Sequence, residues 1–278
     1  MNALNLSEAE VEGFVRDGFV KLSGAFSKET AEECRERLWR ETGKDPEDPT
    51  TWTEPVNRVP PINDPPFLES CNTPRLHRAY DQLFGDGRWT PPEWPGTFPV
   101  RFPHPSAPMD TAWHFDAGWH VDEQWFEALE DGGDLAKVDP HGFRVNIQSR
   151  GRALLLLLLY SDVGPDDAPT VIRVGSHLDV PPLIAPYGEE GCGLIDDDYL
   201  DEKTAHRPEV LATGEAGDVF LVHPFLVHAA QANRHGRPKF MAQASVEPLE
   251  LVRTERPDGA YSPVEQAVRK GLGLSPVS

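Results

Sequence analysis

The stretch Ala153-Leu154-Leu155-Leu156-Leu157-Leu158-Leu159-Tyr160 constrains the fold more than any other. An apolar run of this length without alternation is either a strand buried on both faces or a short buried helix. Gly151 before it, and Ser161-Asp162 with Gly164-Pro165 after it, favour the strand. Further short strands are expected over residues 112–116, 143–148, 170–174, 209–212, 219–222 and 240–246, separated by clusters of Gly, Pro and Asp.

Ahead of these strands the chain reads as helical. Ser7-Glu8-Ala9-Glu10 has the spacing of a capping box, Val11, Phe14 and Val15 form an apolar stripe, and Gly18 stops the helix. Phe19-Val20-Lys21-Leu22 reads as a strand, and Ser27 is placed to cap a second helix ended by Gly43. Residues 44–108 are dense in proline and read as ordered loop packed on a core, with a helix over residues 75–84 started by Thr73-Pro74. Many short strands behind a helical start predict a mainly β fold, a sandwich or barrel with helices packed outside. We expect one domain over 1–278, divided into a helical region (1–43), a proline-rich region (44–108), a barrel core (109–250) and a C-terminal segment (251–278).

Charge and cysteine usage exclude whole classes of function. Lys and Arg total 26 against 46 for Asp and Glu, a formal charge of −20 with no basic cluster, so neither nucleic acid nor anionic lipid is an expected partner. Cys34, Cys71 and Cys192 lie far apart, which suggests neither a structural zinc site nor a disulfide framework and fits a reducing, cytoplasmic setting. The acidic N-terminus is unlike a secretory signal. The leucine run is far short of the ~20 residues that span a bilayer.

The chemistry resides in histidine and aspartate. In His114-Phe115-Asp116 the imidazole and carboxylate sit two residues apart, so an extended strand points both to one face. A distant histidine, with His228 the candidate, would complete a metal site. Two histidines and a carboxylate leave three neighbouring positions open, the arrangement of non-haem Fe(II) oxygenases. Two other triplets compete: His120-Val121-Asp122, in a loop after Gly118, and His177-Leu178-Asp179 at a strand end. His228 is followed by Asn233, Arg237 and Lys239, cations that alternate onto one strand face.

Four segments resemble a known family in order and spacing: residues 12–20; Trp113-His114-Phe115-Asp116; residues 168–177, ending in Gly175-Ser176-His177; and residues 217–224, followed by His228 and Asn233. The chain is similar to the phytanoyl-CoA dioxygenase family of Fe(II)/2-oxoglutarate-dependent oxygenases over nearly its whole length. The resemblance implies a double-stranded β-helix, a cupin-like jelly-roll barrel, with His114, Asp116 and His228 as iron ligands. It assigns His177 to a structural loop and keeps His120 in reserve as a ligand or pocket residue. A carboxylate at Asp116, where related halogenases have a small residue, implies hydroxylation or another oxidation. The family's carboxylate anchor falls on Lys239 rather than an arginine, with Arg237 two residues earlier as the other candidate for binding 2-oxoglutarate.

The expected activity is therefore that of a dioxygenase using Fe(II), O2 and 2-oxoglutarate to oxidise a small metabolite. The alternatives are a catalytically silent, cupin-like binding protein on the same fold and a metal-dependent hydrolase or isomerase on the same ligands. Gln148 and Arg152 are placed to reach co-substrate or substrate, Trp113 and Phe115 to pack, and Asn233 to start a turn. The acidic group Asp196-Asp197-Asp198, Asp201 and Glu202 reads as a solvated loop.

Overall fold

Local capping chemistry sets the N-terminal elements of the computed structural model, which describes residues 4–104, 118–122, 143–193, 195 and 197–275. Helix α1 (Glu8–Asp17) opens with the anticipated capping box, Ser7 Oγ accepting from Glu10 N and Glu10 accepting from Ser7 N. Gly18 ends it at φ 89°, and a Cβ there would stand 2.5 Å from His177 Nδ1, so only glycine fits. Strand β1 (Phe19–Leu22) and helix α2 (Lys28–Thr42), capped by Ser27 and closed by left-handed Gly43, follow as expected.

The proline-rich region is more regular than its composition suggests. It holds β2 (Val56–Val59), α3 (Pro65–Cys71), α4 (Pro74–Phe84), β3 (Trp89–Thr90) and β4 (Phe98–Arg101). Prolines stand in the first turn of both α3 and α4, where a missing N–H costs no helical hydrogen bond. That is why they start helices here instead of breaking them.

Beyond residue 142 come β5 (Arg144–Val145), β6 (Leu154–Leu159), β7 (Val171–Arg173), α5 (Val180–Ile184), β8 (Cys192–Gly193) and α6 (Asp197–Thr204). They are followed by β9 (Glu209–Leu211), β10 (Val219–Val222), β11 (His228–Ala229), β12 (Met241–Pro248) and α7 (Pro263–Gly271). The strand expected over 143–148 shrinks to the two residues of β5, and part of the acidic group expected as loop is helix α6. The strand expected over 112–116 lies outside the described residues. Helix α7 has its own capping box, Ser262 with Glu265, in a segment for which no element was anticipated.

The larger sheet has the order β1-β10-β6-β12-β3, and a smaller one has the order β11-β7-β9, all pairs antiparallel. Strand β6 is central and explains its composition. Leu155, Leu157 and Leu159 join Ile172, Ala212, Phe220 and Met241 in a layer between the two sheets. Leu154, Leu156 and Leu158 face the other way, into the core shared with Phe14, Leu38, Phe67 and Tyr160. Both faces of β6 are therefore apolar, each leucine contributing on the order of 1.5–3 kcal/mol by burial.

Candidate metal centre

His228 lies on β11, whose partner β7 sets it opposite Ile172. On the other side it meets His120: His120 N donates to His228 O at 3.0 Å and His228 N to His120 O at 3.1 Å. Residues that exchange both backbone bonds in an antiparallel pair project side chains to the same face. The two rings accordingly lie 4.4 Å apart between centroids. Asp122, two residues beyond His120, returns to that face and brings Oδ2 to 3.4 Å from His228 Nε2. One donor atom from each of His120, Asp122 and His228 lies within 4.8 Å of the others.

The hydrogen bonds at the back of the rings prepare this cluster for a cation. His120 Nδ1 contacts Gly118 O at 2.8 Å and His228 Nδ1 contacts Leu226 O at 3.0 Å. A carbonyl oxygen only accepts, so each Nδ1 carries a proton and Nε2 is the nitrogen each ring turns inward, as metal-binding histidines require. Burial opposes a charge on His228, but the facing Asp122 raises its affinity for a proton. Burial likewise opposes charge on Asp122, yet His228 and Arg152, whose Nη1 is 3.7 Å away, hold its carboxyl well below the usual range. The group is thus an ionised carboxylate between two imidazoles, and a divalent cation would replace the proton they share.

His228 stands in this cluster, whereas His114, Asp116, Trp113 and Phe115 lie outside the described residues. His120, the reserve candidate, stands in the cluster with Asp122. His177 is buried in a turn, bonded to Val15 O, and burial pushes it down to about 3. His223 packs 4.9 Å from His177, outside the cluster. Asn233 organises a turn through Gly236 N and Arg237 O, and Gln148 contacts Glu189.

Beside His120 and His228 a pocket opens that is lined by Arg101, Thr170, Lys239, Met241 and Gln243. Lys239 is buried, its Nζ donating to Ala168 O, and burial with the neighbouring Arg101 pushes its pKa well below that of a free lysine. Arg101 reaches the pocket because β4 runs on beside the residues before β12: Arg101 N donates to Lys239 O at 3.1 Å and the reverse bond is 2.9 Å. Sequence reasoning misses Arg101, since no motif marks it. Arg237 takes the other direction. Its side chain is 63% exposed and paired with Asp167 at 2.8 Å, outside the pocket.

The family model for phytanoyl-CoA dioxygenase (PhyH) matches residues 14–241, most of the chain. The chain belongs to the phytanoyl-CoA dioxygenase family. That family is one of non-haem Fe(II)/2-oxoglutarate-dependent enzymes, and the His-Asp-His cluster fits the metal site such an enzyme needs. No curated protein sequence matches the chain. Among solved structures, it is similar to EctD from S. alaskensis with 2-oxoglutarate and 5-hydroxyectoine, at 19% identity over 92% of this chain and 84% of that one, TM-score 0.54. The epimerase SnoN in complex with Fe3+, alpha ketoglutarate and nogalamycin RO is 16% identical over 92% of each chain, TM-score 0.58. HygX from Streptomyces hygroscopicus with nickel and 2-oxoglutarate is 19% identical over 88% of each chain, TM-score 0.52. These likenesses establish the fold of this family member as the expected mainly β jelly-roll with flanking helices. Among the described residues no helix is long and apolar enough to cross a membrane.

Proposed function

We propose that this chain is an Fe(II)- and 2-oxoglutarate-dependent dioxygenase that hydroxylates a small cytoplasmic metabolite, with release of succinate and CO2. In this reading His120, Asp122 and His228 hold the iron. Lys239, with Arg101 beside it, holds the remote carboxylate of 2-oxoglutarate. When bound, iron and 2-oxoglutarate supply an oxidant generated from O2 by oxidative decarboxylation. The protein's own contribution is to orient and to exclude water. The Nδ1 bonds fix both imidazoles, the buried cations counter the co-substrate's charge, and burial keeps those ionic contacts strong.

The observation that carries the reading is the convergence of three donor atoms from segments far apart in sequence, within 4.8 Å. His114 and Asp116, with His228, form the competing ligand set. Among the described residues it is His120 and Asp122 whose donor atoms stand beside that of His228, and the reading rests on them. A lysine anchor binds a carboxylate as a point charge rather than a fork, and the adjacent Arg101 supplies the second cation.

The test is anaerobic titration of the apoprotein with Fe(II) and 2-oxoglutarate, followed by admission of O2. A weak visible charge-transfer band, then O2-dependent succinate, is expected from the wild type and from H114A but not from H120A. A band retained in H120A and lost in H114A transfers the ligand role to the earlier triplet. No band and no succinate in any form supports the silent binding protein instead.

A further inference from the structure

Arg173 on β7 touches both segments that carry the clustered histidines. Its backbone N–H donates to Val227 O at 3.1 Å, one residue before His228. Its guanidinium carbon lies 3.7 Å from the centre of the Trp119 ring, one residue before His120. The side chain is 5% exposed, and its nitrogens are fully directed. Nη1 donates to Thr204 Oγ1 at 2.9 Å and to Asp201 O at 3.0 Å, Nη2 to Asp201 Oδ1 at 2.5 Å, and Glu209 Oε1 accepts at 3.4 Å. With its edges held by α6 and β9, the planar group presents a flat face to the indole.

Trp119 is joined to His120 directly along the chain, so clamping its ring restrains the backbone that carries the His120 imidazole. The backbone bond to Val227 does the same for His228. We propose that Arg173 is a positioning residue, bracing His120 and His228 together and tying the metal centre to helix α6. The inference rests on the ligand assignment proposed above. It adds that the geometry of the cluster depends on a cation outside its three donor groups.

Metal affinity of the apoprotein reads this directly, with Co(II) as the probe, followed by its visible absorption under anaerobic conditions. Arg173→Met is expected to weaken Co(II) binding by about tenfold or more, with the far-UV circular dichroism unchanged. Arg173→Lys, which keeps the charge but loses the planar fork, is expected to weaken it nearly as much. Trp119→Ala should have a similar effect, and the double variant with Arg173→Met should be little worse than either single one. Wild-type affinity in Arg173→Met, or full additivity in the double variant, overturns the proposal. Asp201 is half-exposed, so Asp201→Asn tests the brace from its outer end if Arg173→Met does not fold. Wild-type affinity in both Asp201→Asn and Arg173→Lys then overturns it. His120→Ala separates the two levels. If it retains wild-type affinity the ligand assignment itself has failed, and if it loses affinity while the Arg173 variants do not, only the brace has.

Discussion

His120 and His228 face each other across one antiparallel bridge, exchanging backbone bonds of 3.0 and 3.1 Å, and their rings project to the same side with centroids 4.4 Å apart. The two rings are therefore placed by the main chain, and one donor atom of each lies within 4.8 Å of an Asp122 carboxylate oxygen. A ligand that binds only the folded protein stabilises it by mass action, by ~2.7 kcal/mol at one hundred times its dissociation constant. Ni(II) added to the apoprotein at that excess should raise the denaturation midpoint, and EDTA should reverse the change. His120→Ala and His228→Ala should each abolish the increment. An undiminished increment in either variant, measured by urea unfolding, would remove that histidine from the ligand set.

Lys239 and Arg237 lie two residues apart, one buried in the pocket and the other on the surface against Asp167. Removing one partner of a buried charge pair costs about 2–5 kcal/mol, so Lys239→Ala should weaken 2-oxoglutarate binding by on the order of 30-fold or more. Arg237→Ala should leave that affinity nearly unchanged, because its guanidinium is turned to the surface and held by Asp167 outside the pocket. Isothermal titration of the Fe(II)-loaded protein under nitrogen checks both. A large loss in Arg237→Ala would place the anchor on the other cation.

Where structure follows from neighbouring residues, the sequence is legible. The reciprocal Ser7 and Glu10 cap, the Gly18 and Gly43 stops and the strand character of the leucine run all follow from contacts within a few residues. The same chemistry at Ser262 and Glu265 was equally readable and starts a helix where only a C-terminal segment was expected. His228 stands out through its surroundings, whereas local pattern does not distinguish the two triplets upstream of it. His114-x-Asp116 and His120-x-Asp122 have the same local pattern, and what brings the second to His228 is a pair of backbone bonds between distant strands. Arg101 is hidden for the same reason. It owes its place in the pocket to pairing with Lys239, a long-range register that no local periodicity encodes.

Gly96 stands at φ 81°, and a Cβ built on it would come within 1.7 Å of Gln243 O. Gln243 lines the pocket, and its backbone pairs with Thr97 through Gln243 N to Thr97 O at 3.1 Å. An alanine here meets both an unfavourable backbone region and a main-chain atom that cannot rotate away. Gly96→Ala should destabilise the fold by about 2–4 kcal/mol, in the range of a strained backbone combined with overpacking. Urea denaturation measures it. A cost below about 0.5 kcal/mol would mean that β12 can shift without loss.

The buried pair His177 and His223 predicts how stability depends on acidity. Burial pushes His177 down to about 3, the nearby Arg207 and Lys270 adding to the effect against the opposing Val15 carbonyl. Burial, with the His177 ring, takes His223 well below the ordinary value of 6.5. Both rings are packed among α1, the His177 turn and α7, since His223 Nε2 contacts Val264 O at 3.3 Å and His177 Nε2 contacts Val15 O at 3.2 Å. In the unfolded chain both titrate near 6.5, so below that pH the unfolded state takes up protons that the folded state refuses. The contribution of these two rings is complete above 6.5 and falls as the solution is acidified toward 3, by about 1.4 kcal/mol per pH unit for each ring. Urea unfolding of the metal-free protein between pH 7 and 5 should show this slope, and His177→Asn should remove about half of it. Equal slopes in the two proteins would show that His177 is protonated in the native state at these pH values.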